Sequence, residues 1–352
     1  MHHTEIKEKD SVLMVSLARI SFLSLAEKII LLKNIDSSLN LALLSIEEIS
    51  EICKRQIRSS SWNGKQNLLH AQREVAILES KGISFLSYFD KDYPALLRET
   101  PNAPFLLFYR GNKAALLNRS VSVVGTRHIS PYAKVKTMEF AYQAAVDGCT
   151  VVSGLANGVD GASHMGVLNA WYDAVQNNSV LPEGKTVAVL PCGIDTIVPY
   201  NHISLASRII SSGGCLVSEY VPGVPAESWR FVQRNRIIAS LSPATVVIQA
   251  PAGSGALITA QFALEYNRDV MFHKAAFETQ ANLVSEKINQ DLQRRFALGE
   301  IQKNKLENTP QKYLESGAPV INDYKDYCRC LKEMPGLRSI QDSQLIFEEL
   351  YG

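Results

Sequence analysis

Apolar residues recur every three to four positions through Ser11–Lys33, Ser45–Arg58 and Gly64–Lys81. That is the repeat of one buried helix face, so residues 1–82 are expected to form a small helical domain. The first β-branched run is Ile83–Phe89, and the proline-punctuated link FDKDYPALLRETPNAPFLLFYRGN leads into a strand at Phe105–Tyr109. From residue 119 the pattern changes to short, continuously apolar runs at Val121–Val124, Thr150–Val152, Thr186–Leu190, Cys215–Val217, Thr245–Ile248 and Val270–Phe272. Between them lie helical patterns at Pro131–Asp147, Gly158–Val175, Asn201–Ser211, Trp229–Leu241 and Leu257–Tyr266. Fully apolar strands alternating with helices predict an α/β fold, a mostly parallel sheet covered by helices on both faces, over residues 83–276. Residues 277–309 are polar and rich in Gln, Lys, Arg and Glu, and are expected to be a helical or mobile insertion. A closing helix at Gln311–Ser316, a strand at Val320–Ile321 and a helix at Tyr324–Lys332 are expected within 310–352.

Composition narrows the class. A hydrophobic content of 46% is ample for a packed core, and the polar opening MHHTEIKEKD lacks the apolar heart of a signal peptide. Charged residues interrupt every apolar stretch before it reaches the roughly 20 residues of a membrane span, so a cytoplasmic protein without membrane association is expected. Six cysteines are scattered, and the Cys328-x-Cys330 pair has no second pair at zinc-binding spacing, so no metal is expected. With 36 Lys and Arg against 35 Asp and Glu the net charge is +1, which leaves nucleic-acid binding to local charge.

In a parallel sheet ligands bind outside the carboxyl ends of the strands, which directs attention to three glycine loops. Gly125-Thr126-Arg127 follows the first parallel strand; its backbone can approach a ligand closely, and Arg127 offers a fork of donors to phosphate. Ser153-Gly154-Leu155-Ala156-Asn157-Gly158 follows the second, ahead of Asp160, expected to cap the helix rather than hold the loop, and His164, read as bonded to its neighbours. Ala250-Pro251-Ala252-Gly253-Ser254-Gly255 follows a later strand. It lacks the third glycine and the distant acid of a dinucleotide fingerprint, and no P-loop is present, so no cofactor is expected. Arg234-Asn235-Arg236 runs into an apolar stretch; an arginine partly buried there calls for an anionic partner.

The ordered runs S-V-V-G-T-R, V-V-S-G-L-A-N-G-V-D-G-A-S-H, K-T-V-A-V-L-P-C-G-I-D-T-I-V-P-Y-N, L-V-S-E-Y, Q-R-N-R-I-I-A-S-L-S and A-P-A-G-S-G-A-L-I-T-A resemble the DNA-processing protein A (DprA/Smf) family from Tyr88 to Asp269. The resemblance implies a Rossmann-like core that binds single-stranded DNA in a basic pocket, without catalysis. It also implies homodimerisation and loading of the recombinase RecA in natural transformation or recombination. Carried onto this chain, the DNA-contacting set is Gly125, Thr126, Arg127, Ser153, Gly154, Gly158, Arg234, Asn235, Arg236, Ser254 and Gly255, with Tyr200 and Asn201 near the same edge. The chain departs from the family at Asn157, where a basic residue is common, at Gln249, at Ser240, and after Phe272, where a V-P-G turn is usual. The winged helix that many relatives carry at the carboxyl end is not expected. The alternative is a nucleotide-binding or nucleotide-hydrolysing relative of the phosphoribohydrolases; against it, Ile258 or Thr259 stands where that chemistry needs a glutamate.

Overall fold

The computed structural model describes residues 10–58 and 62–333. The expectation about a winged helix therefore falls partly on residues 334–352, outside the described residues. In chain order the helical region comprises α1 (Ser11–Ala18), α2 (Leu25–Asn34), α3 (Ser38–Leu43), α4 (Ile46–Ile52) and α5 (Gly64–Ser80). The single helix expected over Ser11–Lys33 is two. Ser24 accepts a hydrogen bond from the Glu27 N–H, and the Glu27 carboxylate accepts one from the Ser24 N–H at 2.8 Å. This reciprocal box starts α2 afresh; the apolar repeat ran across the break and concealed it. Ser45 and Glu48 repeat the device at α4, which ends at Ile52 rather than Arg58.

The remainder comprises β1 (Ser84–Ser87), α6 (Ala95–Arg98), β2 (Leu106–Gly111), β3 (Ser120–Val124), α7 (Pro131–Val146), β4 (Thr150–Ser153), α8 (Val159–Gln176), β5 (Thr186–Val189), α9 (Ile203–Ser211), β6 (Cys215–Ser218), α10 (Ser228–Ser240), β7 (Ala244–Val247), α11 (Gly255–Glu265) and β8 (Asp269–His273). Then come α12 (Thr279–Ala297), α13 (Lys303–Glu307), α14 (Pro310–Glu315), β9 (Val320–Ile321) and α15 (Tyr324–Glu333), so the polar insertion is helical.

Among the described residues nine strands form one sheet in the order β1-β2-β6-β5-β4-β3-β7-β8-β9. β1 and β2 are antiparallel additions at one edge, and the other pairings are parallel. β3 and β7 pair in register, Val123 opposite Val246, and from that pair the chain runs outward in both directions. This reversal opens a crevice at their carboxyl ends. Alternate side chains of each strand feed opposite faces. Val121, Val123 and Val246 pack with α7, α8 and α15; Val124, Val187 and Val247 pack with α6, α10, α11 and α14. The apolar residues of α1–α5 join Phe108, Leu168 and Leu216 in one cluster, so the helical region is packed against the sheet. Burial pushes the thiols of Cys149 and Cys215 up to about 12. No helix among the described residues is long and apolar enough to cross a membrane.

Candidate functional site

The chain leaves β3 through Gly125, where a Cβ would lie 2.7 Å from Val159 Cβ and 2.8 Å from the Gln249 carbonyl oxygen. Only glycine lets three loops converge here. The Thr126 N–H donates to the Gln249 carbonyl at 2.7 Å, and the Ser130 N–H donates to Gln249 Oε1 at 3.0 Å, so this buried amide fixes the turn between β3 and α7. The Thr126 carbonyl accepts from the Val159 N–H at 3.1 Å and ties the first loop to the start of α8. Gly158 holds φ at +83°, and a Cβ there would lie 2.7 Å from Arg127 Cα.

Arg127 stands exposed on this platform. Its guanidinium lies 5.0 Å over the Phe231 ring of α10, and its side chain makes no ion pair or hydrogen bond among the described residues. Next along α10, Arg230 stacks at 4.7 Å on the exposed Trp229 ring and at 5.3 Å on Tyr220. On the other side Asn157, exposed, accepts from Asn201 Nδ2 at 3.1 Å, and the neighbouring Tyr200 is 84% exposed. These contacts form an aromatic rim beside Arg127, while Arg230 is itself paired with Glu227 at 3.6 Å and donates to the Pro225 carbonyl. Phe231 and Trp229 escape the sequence reading, although both flank the arginines in W-R-F-V-Q-R-N-R.

The other nominated residues turn inward. Arg234 is 3% exposed and donates through Nη1 to the carbonyls of Gly154, at 2.5 Å, and Val189. It thereby joins the carboxyl ends of β4 and β5. A Cβ on Gly154 would overlap the guanidinium and lie 2.6 Å from Asp160 Oδ2. Burial draws the Arg234 guanidinium down to about 10, and the nearby Asp160 carboxylate opposes the shift. Burial raises Asp160, and Arg234 lowers it. Asp160 is not the expected helix cap. Gly158 occupies the N-cap without a side-chain bond, while Asp160 sits in the first turn and accepts from the Ala156 N–H at 3.4 Å, holding the loop.

Arg236 finds the anionic partner its burial demands: it pairs with Glu219 and donates to the Asn102 carbonyl at 2.6 Å. Asn235 Nδ2 donates to the Gly255 carbonyl at 3.0 Å, and Ser153 Oγ to the Val123 carbonyl at 2.7 Å. His164 is fully buried, with Nδ1 2.6 Å from Thr186 Oγ1; burial pulls it down to about 3 and keeps the ring neutral. Among the described residues no group of His, Cys, Asp or Glu is placed to hold a metal ion.

What faces outward is therefore Arg127, the aromatic rim, and backbone N–H groups at one helix start. α11 begins at Ser254 without a side-chain cap or an acid in its first turn, and its first residue, Gly255, is exposed, so its first N–H groups carry partial positive charge at the carboxyl edge; the start of α8 is instead occupied by bonds to the Thr126 and Ala156 carbonyls and by Asp160. Such groups bind an anion.

Comparison with known proteins identifies the fold and the family. A protein Smf of Synechocystis is 37% identical over 211 residues, 59% of this chain and 50% of its own length, so the chain spans about half of that relative. The X-ray structure of DNA processing protein A from Streptococcus pneumoniae superposes with a TM-score of 0.62 at 26% identity, over 91% of this chain and 98% of that one. DNA processing protein A from Helicobacter pylori, a structure described for its single-stranded DNA binding mode, shares the fold with a TM-score of 0.52 at 22% identity, over 71% and 96% of the two chains. Residues 84–297 match the family described as DNA recombination-mediator protein A, and the chain belongs to that family.

Proposed function

We propose that the chain binds single-stranded DNA along the carboxyl edge of the sheet without catalysing a reaction on it. The observation that carries this reading is Arg127, an exposed guanidinium with no salt bridge or hydrogen bond among the described residues, held over the Phe231 ring. A single strand presents phosphates for the cation and N–H groups, and unpaired bases for the rings. A duplex hides its base faces. The fold shared with the Helicobacter pylori protein, described for single-stranded DNA binding, supports the same ligand.

The contributions divide by geometry. Arg127, with the N–H groups at the start of α11 from Gly255, meets phosphate; Phe231, Trp229 and Tyr200 offer stacking surfaces. Arg234 and Asn235 hold the loops in place, and Arg236 secures the β6 end, so none of the three meets DNA directly. By family membership we extend the proposal to RecA loading onto the bound strand, in transformation or recombination, and to a homodimer. Against nucleotide hydrolysis, Ile258 and Thr259 occupy the position that needs an acid, and Thr259 Oγ1 bonds the Gly255 carbonyl at 3.2 Å.

Fluorescence anisotropy with labelled single and double strands tests the reading. Single-strand binding should exceed duplex binding, and should weaken linearly on a log–log plot as salt rises, because phosphate contacts release counterions. Equal affinity for both forms, or no salt dependence, would refute it.

A further inference from the structure

Helices α12 and α13 lie on the loop that follows β7, and little holds them there. The Gly253 N–H donates to the Asn308 carbonyl at 2.8 Å. Gly253 holds φ at +63°, and a Cβ there would lie 2.9 Å from the Lys305 carbonyl oxygen and 3.5 Å from Leu292 Cδ1. Of the 19 residues of α12 only Ala281 and Leu292 are buried. At this contact two side-chain oxygens, Asn289 Oδ1, one turn before Leu292, and Ser254 Oγ, beside Gly253, are buried without partners among the described residues. A segment fitted permanently to its seat satisfies such atoms. A segment with one large apolar anchor opens at low free energy.

We infer that α12 and α13 form a displaceable strap that sets how much single strand the site accepts; the inference rests on the single-strand reading above. In place, the strap consumes the Gly253 N–H and confines the strand to Arg127 and the exposed start of α11. Displaced, it exposes the Gly253 N–H and Ser254 Oγ, a further phosphate seat that extends the start of α11. Arg294, Arg295 and Lys303 are each paired within the strap, with Asp291, Glu300 and Glu307.

Two measurements on the full chain test this. Native-state hydrogen exchange should show the Gly253 amide opening far more readily than the sheet amide of Val246. Exchange of both only through global unfolding would overturn a displaceable strap, whatever the chain binds. Leu292→Asp, and independently Gly253→Ala, whose Cβ crowds Lys305, should release the strap. Released, each variant should bind long oligothymidines about fivefold more tightly, the worth of one added hydrogen-bonded contact, with no gain for the shortest strands bound. Faster Gly253 exchange with unchanged affinity and length dependence would overturn the inference while leaving the single-strand reading intact, and so would weaker binding. If neither wild type nor variant binds any strand, the single-strand reading falls, and the strap's role in setting strand length falls with it.

Discussion

Replacing Arg127 with alanine separates ligand binding from folding better than any other change at this edge. The side chain is exposed, stacks on the Phe231 ring and makes no ion pair or hydrogen bond among the described residues, so its loss should alter stability by no more than about 0.5 kcal/mol. In the complex it should lose a charge-assisted bond to phosphate worth about 1.5–3 kcal/mol. Affinity should therefore fall about 10- to 100-fold. The log–log salt slope should shrink by about 0.7, the share of one single-strand phosphate. Phe231→Ala should cost about 1–3 kcal/mol of base stacking. Because the ring also orients the guanidinium, the two changes should be non-additive by about 0.5–1 kcal/mol, the worth of an exposed cation–π contact. Anisotropy titrations of the four proteins at several salt concentrations, with melting curves alongside, measure all of this. An Arg127→Ala protein with wild-type affinity and slope would refute the phosphate assignment. One that lost affinity only together with thermal stability would show that Arg127 serves the fold.

Three further outcomes are expected. Arg234→Gln should destabilise by about 3–5 kcal/mol in chemical denaturation, because it leaves the buried Asp160 carboxyl without its cation; a loss like that of Arg127→Ala would contradict the inward placement. Gly154→Ala should drive the same guanidinium from its two carbonyls and lower the melting temperature by several degrees, and an unchanged melting curve would mean the loop yields freely. His164, pulled down from 6.5 to about 3, is neutral in the folded chain, while the unfolded chain takes up its proton below 6.5. Its contribution is therefore complete above pH 6.5 and lost as pH falls toward 3, at up to about 1.4 kcal/mol per pH unit. His164→Leu should flatten that part of the stability–pH profile, and an unaltered slope would sink the assignment.

The same contrast decides how much of the site can be read from the chain. Arg234 and Arg236 look equivalent in R-N-R, and both were natural candidates for phosphate. On a helix they point about 200° apart, and the fold sends one to the ends of β4 and β5 and the other to Glu219. Arg127 and Phe231 are more than one hundred positions apart, and nothing local announces that they stack. The break between α1 and α2 was legible in Ser24-x-x-Glu27, but the apolar repeat continued across it.

By itself the sequence determined the alternation of buried strands and amphipathic helices, hence the parallel sheet, and the glycine turns at the strands' carboxyl ends. Those features are set by local sterics and by which residues must leave water, and both are written in neighbouring positions. Only the tertiary structure decided which polar side chains at that edge face solvent. Burying an arginine depends on carbonyls and carboxylates brought from distant strands, as for Arg234, and Arg127 stays outside because, among the described residues, none of them bonds it. The same holds for the strap: its helical polar residues are plain in the chain, but its seat on Gly253 exists only once β7 and α11 have placed that loop beneath it.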